Sequence, residues 1–124
     1  MNTDKTVGIV VFGHGSSVAS ANAAVAAVAD RAASLGGWQL YETAFLECAP
    51  RLADAVEKLA ARGAREVVVL PYFLTLGIHL QRDLPVLVDD LVAKYRVPIR
   101  VSPPLDGHAG LEKILVDRAE EALS

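Results

Sequence analysis

Short apolar runs and longer amphipathic stretches alternate along the whole chain. Val7 to Phe12 is a continuous, largely β-branched run, the pattern of a parallel strand buried on both faces. Val18 to Leu35 is rich in alanine, with Val25, Val28, Ala32 and Leu35 at helical spacing, and Gly36-Gly37 ends that helix. Trp38 to Leu46 alternates apolar and polar residues, then turns apolar, and reads as a second strand. Pro50 suits the first turn of a second helix. Its inner face is Leu52, Ala55, Val56, Leu59 and Ala60, and Gly63 closes it. Glu66 to Phe73 is the third and most hydrophobic strand. A third helix opens at His79 or Leu80 and runs to about Lys94, with Leu84, Leu87, Val88 and Leu91 inward. Pro85 lies early enough in it to be tolerated. Val97 to Val101 is a short fourth strand, and Gly110 to Leu123 a fourth helix.

Four successive strand–helix units with short connections require right-handed crossovers and a parallel sheet. The expected fold is therefore one α/β domain over residues 1–124, a three-layer sandwich around a four-stranded sheet of flavodoxin-like type. Composition narrows the function. With 52% hydrophobic and 22% charged residues the chain can bury a core, and a net charge of −3 gives no basic footprint for nucleic acid. A single cysteine, Cys48, leaves no intramolecular disulfide and points to a reducing compartment. Met1 to Thr6 leads straight into the first strand, too short for a signal peptide, and no apolar run nears the roughly 20 residues that span a membrane. The expected location is the cytoplasm.

Candidate chemistry lies where strands give way to helices, because those turns share one edge of a parallel sheet. His14 stands in Gly13-His14-Gly15-Ser16-Ser17 and His79 in Gly77-Ile78-His79-Leu80. Both lie near helix N-termini, which favour a neutral ring with a lone pair for a metal or a proton. Each alone also reads as a solvated turn histidine. Glu47 ends the second strand and offers a carboxylate at the same edge, to bind metal or take protons. Cys48 is either a soft ligand or a small buried apolar residue, and His108 a cap or rim residue at the fourth turn. Ser16, Ser17, Arg51 and Arg82 are candidates to hold an anionic ligand, or else surface residues. Tyr72-Phe73-Leu74 could wall a flat hydrophobic ligand. The phosphate-loop spacings and the strained Gly-x-Ser-x-Gly elbow are missing, which speaks against nucleotide and hydrolase chemistry.

In order, the chain carries Phe-Gly-His-Gly-Ser, Ala-Phe-Leu-Glu, Val-Val-Val-Leu-Pro-Tyr-Phe-Leu and Gly-Ile-His-Leu-Gln-Arg-Asp-Leu-Pro. This series resembles the CbiX/SirB group of class II chelatases over nearly the whole length. The resemblance implies insertion of a divalent metal (cobalt first, nickel or iron otherwise) into sirohydrochlorin, with no cofactor beyond the metal substrate. It implies metal binding by His14 and His79, with Glu47 as the strand-end carboxylate. It also implies a homodimer with the site in the cleft between subunits, since long relatives hold two such domains. The position after Gly-His-Gly-Ser is often basic in that group and is Ser17 here. Two rival readings use the same fold: a non-catalytic metal or tetrapyrrole carrier, and a small-molecule module in which the histidines are incidental.

Overall fold

The computed structural model describes residues 6–124. The reading of the N-terminus as a short lead rather than a leader peptide falls mostly on residues 1–5, outside the described residues. Eight elements alternate as expected: β1 (Val7–Gly13), α1 (Ala19–Gly36), β2 (Leu40–Phe45), α2 (Leu52–Ala61), β3 (Glu66–Pro71), α3 (Ile78–Tyr95), β4 (Ile99–Val101) and α4 (Gly110–Leu123). All strands are parallel, in the order β2-β1-β3-β4. The chain steps outward from β1 to β2, crosses back to β3, and continues to β4. The connections after the neighbouring strands β1 and β3 thus run in opposite directions, and the loops after β1 and β2 meet at the same edge.

Side-chain alternation divides the core between two faces. Val10, Phe12, Val67 and Val69 pack with Leu52, Val56 and Leu59 of α2 and Leu84, Val88 and Leu91 of α3. On the other face Ile9 and Val11 are buried, as are Ala29 and Ala33 of α1. Alanine suits α1 because a small side chain lets a helix lie close to a sheet. Gly37, in the left-handed conformation (φ 68°), ends α1 as the glycine pair predicts, its N–H donating to the Ala33 carbonyl.

Some boundaries differ from expectation for local reasons. Pro50 precedes α2 rather than sitting in its first turn, because the Asp54 carboxylate accepts the Arg51 N–H at 2.8 Å and starts the helix there. The third strand stops at Pro71, two residues short of Phe73, although Tyr72 still donates to the Phe12 carbonyl at 2.7 Å. The fourth helix has the expected bounds, but none of its residues is buried. Among the described residues no helix is long and apolar enough to cross a membrane.

Leu59 is fully enclosed in the main core (0% exposed), whereas Leu35 at the end of α1 is 90% exposed. Leu59→Ala should cost about 2–5 kcal/mol of unfolding free energy, and Leu35→Ala no more than about 0.5 kcal/mol. Urea denaturation of the two variants checks this, and equal midpoints would contradict the assigned core.

Candidate functional site

The loops after β1 and β2 remain paired beyond the strands. Leu46 donates its N–H to the Gly13 carbonyl at 3.0 Å, and Glu47 donates to the His14 carbonyl at 2.9 Å. This backbone register sets His14 and Glu47 side by side, with His14 Nε2 3.5 Å from Glu47 Oε1. Both side chains are about 60% exposed, so their attraction contributes little to stability and both remain open to a ligand. They line an open cleft of about 470 Å³ with Gly15, Ser16, Ser17 and Cys48. Phe73 lies beside the His14 ring, with centroids 6.4 Å apart, and the Phe12 ring supports Phe73 at 5.9 Å.

Of the two glycines that flank His14, only Gly15 is demanded by the geometry. Its φ is +89°, and an added Cβ would lie 2.9 Å from both Cys48 Sγ and Phe45 Cβ. Gly13 has ordinary room for a side chain. Ser16 serves the turn itself, its Oγ accepting the Val18 N–H at 3.0 Å. Arg51 donates to the Leu46 carbonyl at 2.7 Å, tying α2 to the loop that carries Glu47. Ser17 is exposed at the mouth of the cleft.

Sequence reasoning passed over Asn22. Its Oδ1 accepts the Ser16 N–H at 2.9 Å, its Nδ2 donates to the Ser16 carbonyl at 2.9 Å, and Nδ2 also lies 3.5 Å from Cys48 Sγ. One amide on α1 thereby joins the His14 loop to the Glu47 loop. A lone asparagine in an alanine-rich helix, facing the sheet side, was the available signal. Cys48 is half-buried and serves as a neighbour of this clamp.

His79 lies in the first turn of α3 and does not line the His14 cleft. Among the described residues no three histidine, cysteine or acidic side chains stand close enough together to hold one metal ion. The nearest partner of His79 is Arg82, whose guanidinium is 3.4 Å from His79 Nδ1. Arginine has no acceptor, so Nδ1 faces it with its lone pair. Arg82 also binds Asp83 at 2.9 Å, and this hydrogen bond holds the Asp83 carboxyl below its usual range. Leu74 and Ile78, in the segment leading to His79, are exposed. His108 caps α4, its Nδ1 accepting the Gly110 N–H at 2.8 Å.

The model of the CbiX family matches residues 8–122. A sirohydrochlorin cobaltochelatase from Methanopyrus kandleri is 30% identical over 94% of this chain and 97% of its own length. The chloroplastic sirohydrochlorin ferrochelatase of Arabidopsis thaliana is also 30% identical, over 94% of this chain. This chain spans only 53% of that relative's length. The solved structure of a CbiX protein from Marinobacter aquaeolei VT8 superposes with a TM-score of 0.83 at 27% identity, covering 94% of this chain and 97% of the other. With this match from the first strand to the last helix, the chain belongs to the CbiX family.

Proposed function

We propose that this protein inserts a divalent metal into sirohydrochlorin, with cobalt ahead of nickel or iron as the substrate ion. The observation that carries the reading is the exposed His14–Glu47 pair at the sheet edge, in a cleft beside Phe73. Metallation replaces two pyrrole protons by the cation, so it needs a weak metal ligand and a proton acceptor at one place. The His14 ring, when unprotonated, supplies a lone pair for either task. Glu47 Oε1, 3.5 Å from Nε2, stabilises the imidazolium once a proton is taken, and exposure lets that proton pass to water.

His79 is the second metal ligand in this proposal. It becomes available at Nδ1 when the 3.4 Å contact with Arg82 opens, and Asp83 keeps the guanidinium paired when that happens. Phe73 beside the His14 ring and the exposed Leu74 and Ile78 offer apolar surface to the face of a macrocycle. In this proposal Ser17, in the cleft lining, and Arg82, beside His79, donate to the substrate's carboxylates. Pairing of two chains would close the open side of the cleft. We place the protein in the cytoplasm on its single free thiol.

His14→Ala and Glu47→Gln should retain the fold by circular dichroism. The first should lower the Co²⁺ insertion rate by at least about 100-fold and the second by about 10–100-fold, within the usual range of acid–base contributions. Absorbance changes of sirohydrochlorin with excess Co²⁺, Ni²⁺ or Fe²⁺ report both rate and metal preference. Wild-type rates in His14→Ala would defeat the proposal, and a single stoichiometric binding event without turnover would favour the carrier.

Asn22→Ala removes the hydrogen bonds that hold the Ser16 loop. It should lower stability by about 1–2 kcal/mol but slow insertion by about 10-fold or more, because misplacing His14 costs more in rate than the lost bonds cost in folding. Denaturation and insertion assays on the same preparation separate the two effects. An unchanged rate would show that the clamp has no part in the chemistry.

A further inference from the structure

Arginine is an unexpected residue at the start of α2. Arg51 occupies the N-cap of that helix, with extended backbone (φ −88°, ψ 169°). Serine, threonine, aspartate and asparagine suit this position because a side-chain oxygen accepts an orphan helix N–H. A guanidinium has no acceptor to offer, and its charge opposes the positive end of the helix dipole. The Arg51 side chain instead reaches back along the preceding loop and donates from Nη1 to the Leu46 carbonyl at 2.7 Å. A local rule broken in this way points to a demand elsewhere in the molecule.

The demand lies in one peptide group. The carbonyl of Leu46 and the N–H of Glu47 belong to the same planar amide. Its oxygen accepts from Arg51 at 2.7 Å, and its N–H donates to the His14 carbonyl at 2.9 Å. The plane that precedes the Glu47 Cα is therefore held from both sides, by the start of α2 through a guanidinium and by the β1 loop through a carbonyl. A charged donor on the oxygen also polarises the amide and strengthens its N–H, so the two bonds reinforce each other.

Arg51 is itself anchored. Its N–H donates to the Asp54 carboxylate at 2.8 Å, and the carbonyl of Pro50 before it accepts the Phe45 N–H at 2.8 Å. The loop from Phe45 to Pro50 is thus closed at its base, and Arg51 braces it across the peptide that aims Glu47. Glu47 and His14 are both exposed, so packing does not enforce their 3.5 Å separation. Asn22 clamps the loop that carries His14, and Arg51 holds the other member of the pair.

We infer that Arg51 is a positioning residue of the reaction: through the Leu46–Glu47 peptide it keeps the Glu47 carboxylate within reach of the His14 ring. It touches neither metal nor macrocycle in this role. The effect on rate rests on the proposed function, whereas the brace is a property of the folded chain alone.

The test compares Arg51→Ser, Glu47→Gln and the double variant in the full chain. Serine restores a capping oxygen and removes the charge from the helix end, so Arg51→Ser should keep a thermal midpoint within about 3 °C of the parent. Its kcat for Co²⁺ insertion into sirohydrochlorin should fall about 10-fold, with KM for both substrates within about 2-fold, because alignment is lost and binding is not. In the Glu47→Gln background the same substitution should change kcat by less than about 2-fold, since the carboxylate it aims is already gone. Losses that multiply in the double variant, or a midpoint that falls by about 10 °C together with the rate, would overturn the inference.

Amide hydrogen exchange followed by NMR gives a readout free of metal and macrocycle. The Glu47 N–H should exchange at least about 5-fold faster in Arg51→Ser, while the Leu46 N–H, bonded to the Gly13 carbonyl, should hold its rate within about 2-fold. Equal protection of Glu47 in parent and variant would refute the brace even if the insertion rates differ. A parent chain inactive in insertion would defeat the proposed function, and the role of Arg51 in that reaction with it, while exchange still decides the brace. An active parent whose two losses multiply would refute the positioning role alone.

Discussion

Backbone pairing at the C-terminal end of β1 governs the site. The Phe12 carbonyl accepts from Tyr72, the Gly13 carbonyl from Leu46, and the His14 carbonyl from Glu47. The segments that follow β2 and β3 are thereby tied to the central strand after the regular sheet has ended. Side-chain attraction between His14 and Glu47 is too exposed to align them; the peptide groups do so. The hydrophobic core matters to the chemistry chiefly by fixing this strand. Phe12, one residue inside the edge, is 1% exposed and also supports Phe73 beside the imidazole.

Much of this was legible in the residues because α/β order is written in periodicity. The β-branched run at Val7–Phe12 and the spacing of Leu52, Val56 and Leu59 each express a burial pattern that one segment determines alone. The meeting of His14 with Glu47 followed from topology, since successive strands in a parallel sheet end at one edge. Asn22 was not legible, because its partners lie six and 26 residues away and an amide side chain has no periodic signature. The separation of His79 from the His14 cleft was hidden for a related reason. An edge is a line several strands wide, and the same edge does not mean the same contact. Nor does a helical pattern by itself name a partner: α4 forms at its expected bounds, yet none of its residues is buried.

The His14 and His79 neighbourhoods differ in charge. His14 faces a carboxylate, whereas His79 faces a guanidinium that is at the same time hydrogen-bonded to Asp83. A site with three converged ligands would hold a divalent ion tightly, and the energy gained in capture would have to be returned at release. Among the described residues no such cluster occurs, which under the proposed function leaves the ion free to move on. Under that same proposal, binding energy is best gained where the macrocycle brings its own nitrogens to the ion, which favours the transition state over the loaded ground state.

The open site follows from the order of the strands. The chain steps from β1 to β2 and crosses back to β3, so the loops after β1 and β2 end side by side at one edge. The segment after β4 reaches that edge too: Leu105 and Asp106 donate to the Phe73 and Leu74 carbonyls, and Phe73 stands beside the His14 ring. Several strand ends are thus joined by peptide hydrogen bonds next to an imidazole that stays exposed, so the backbone supplies the rigidity of the cleft while the side chains keep it accessible.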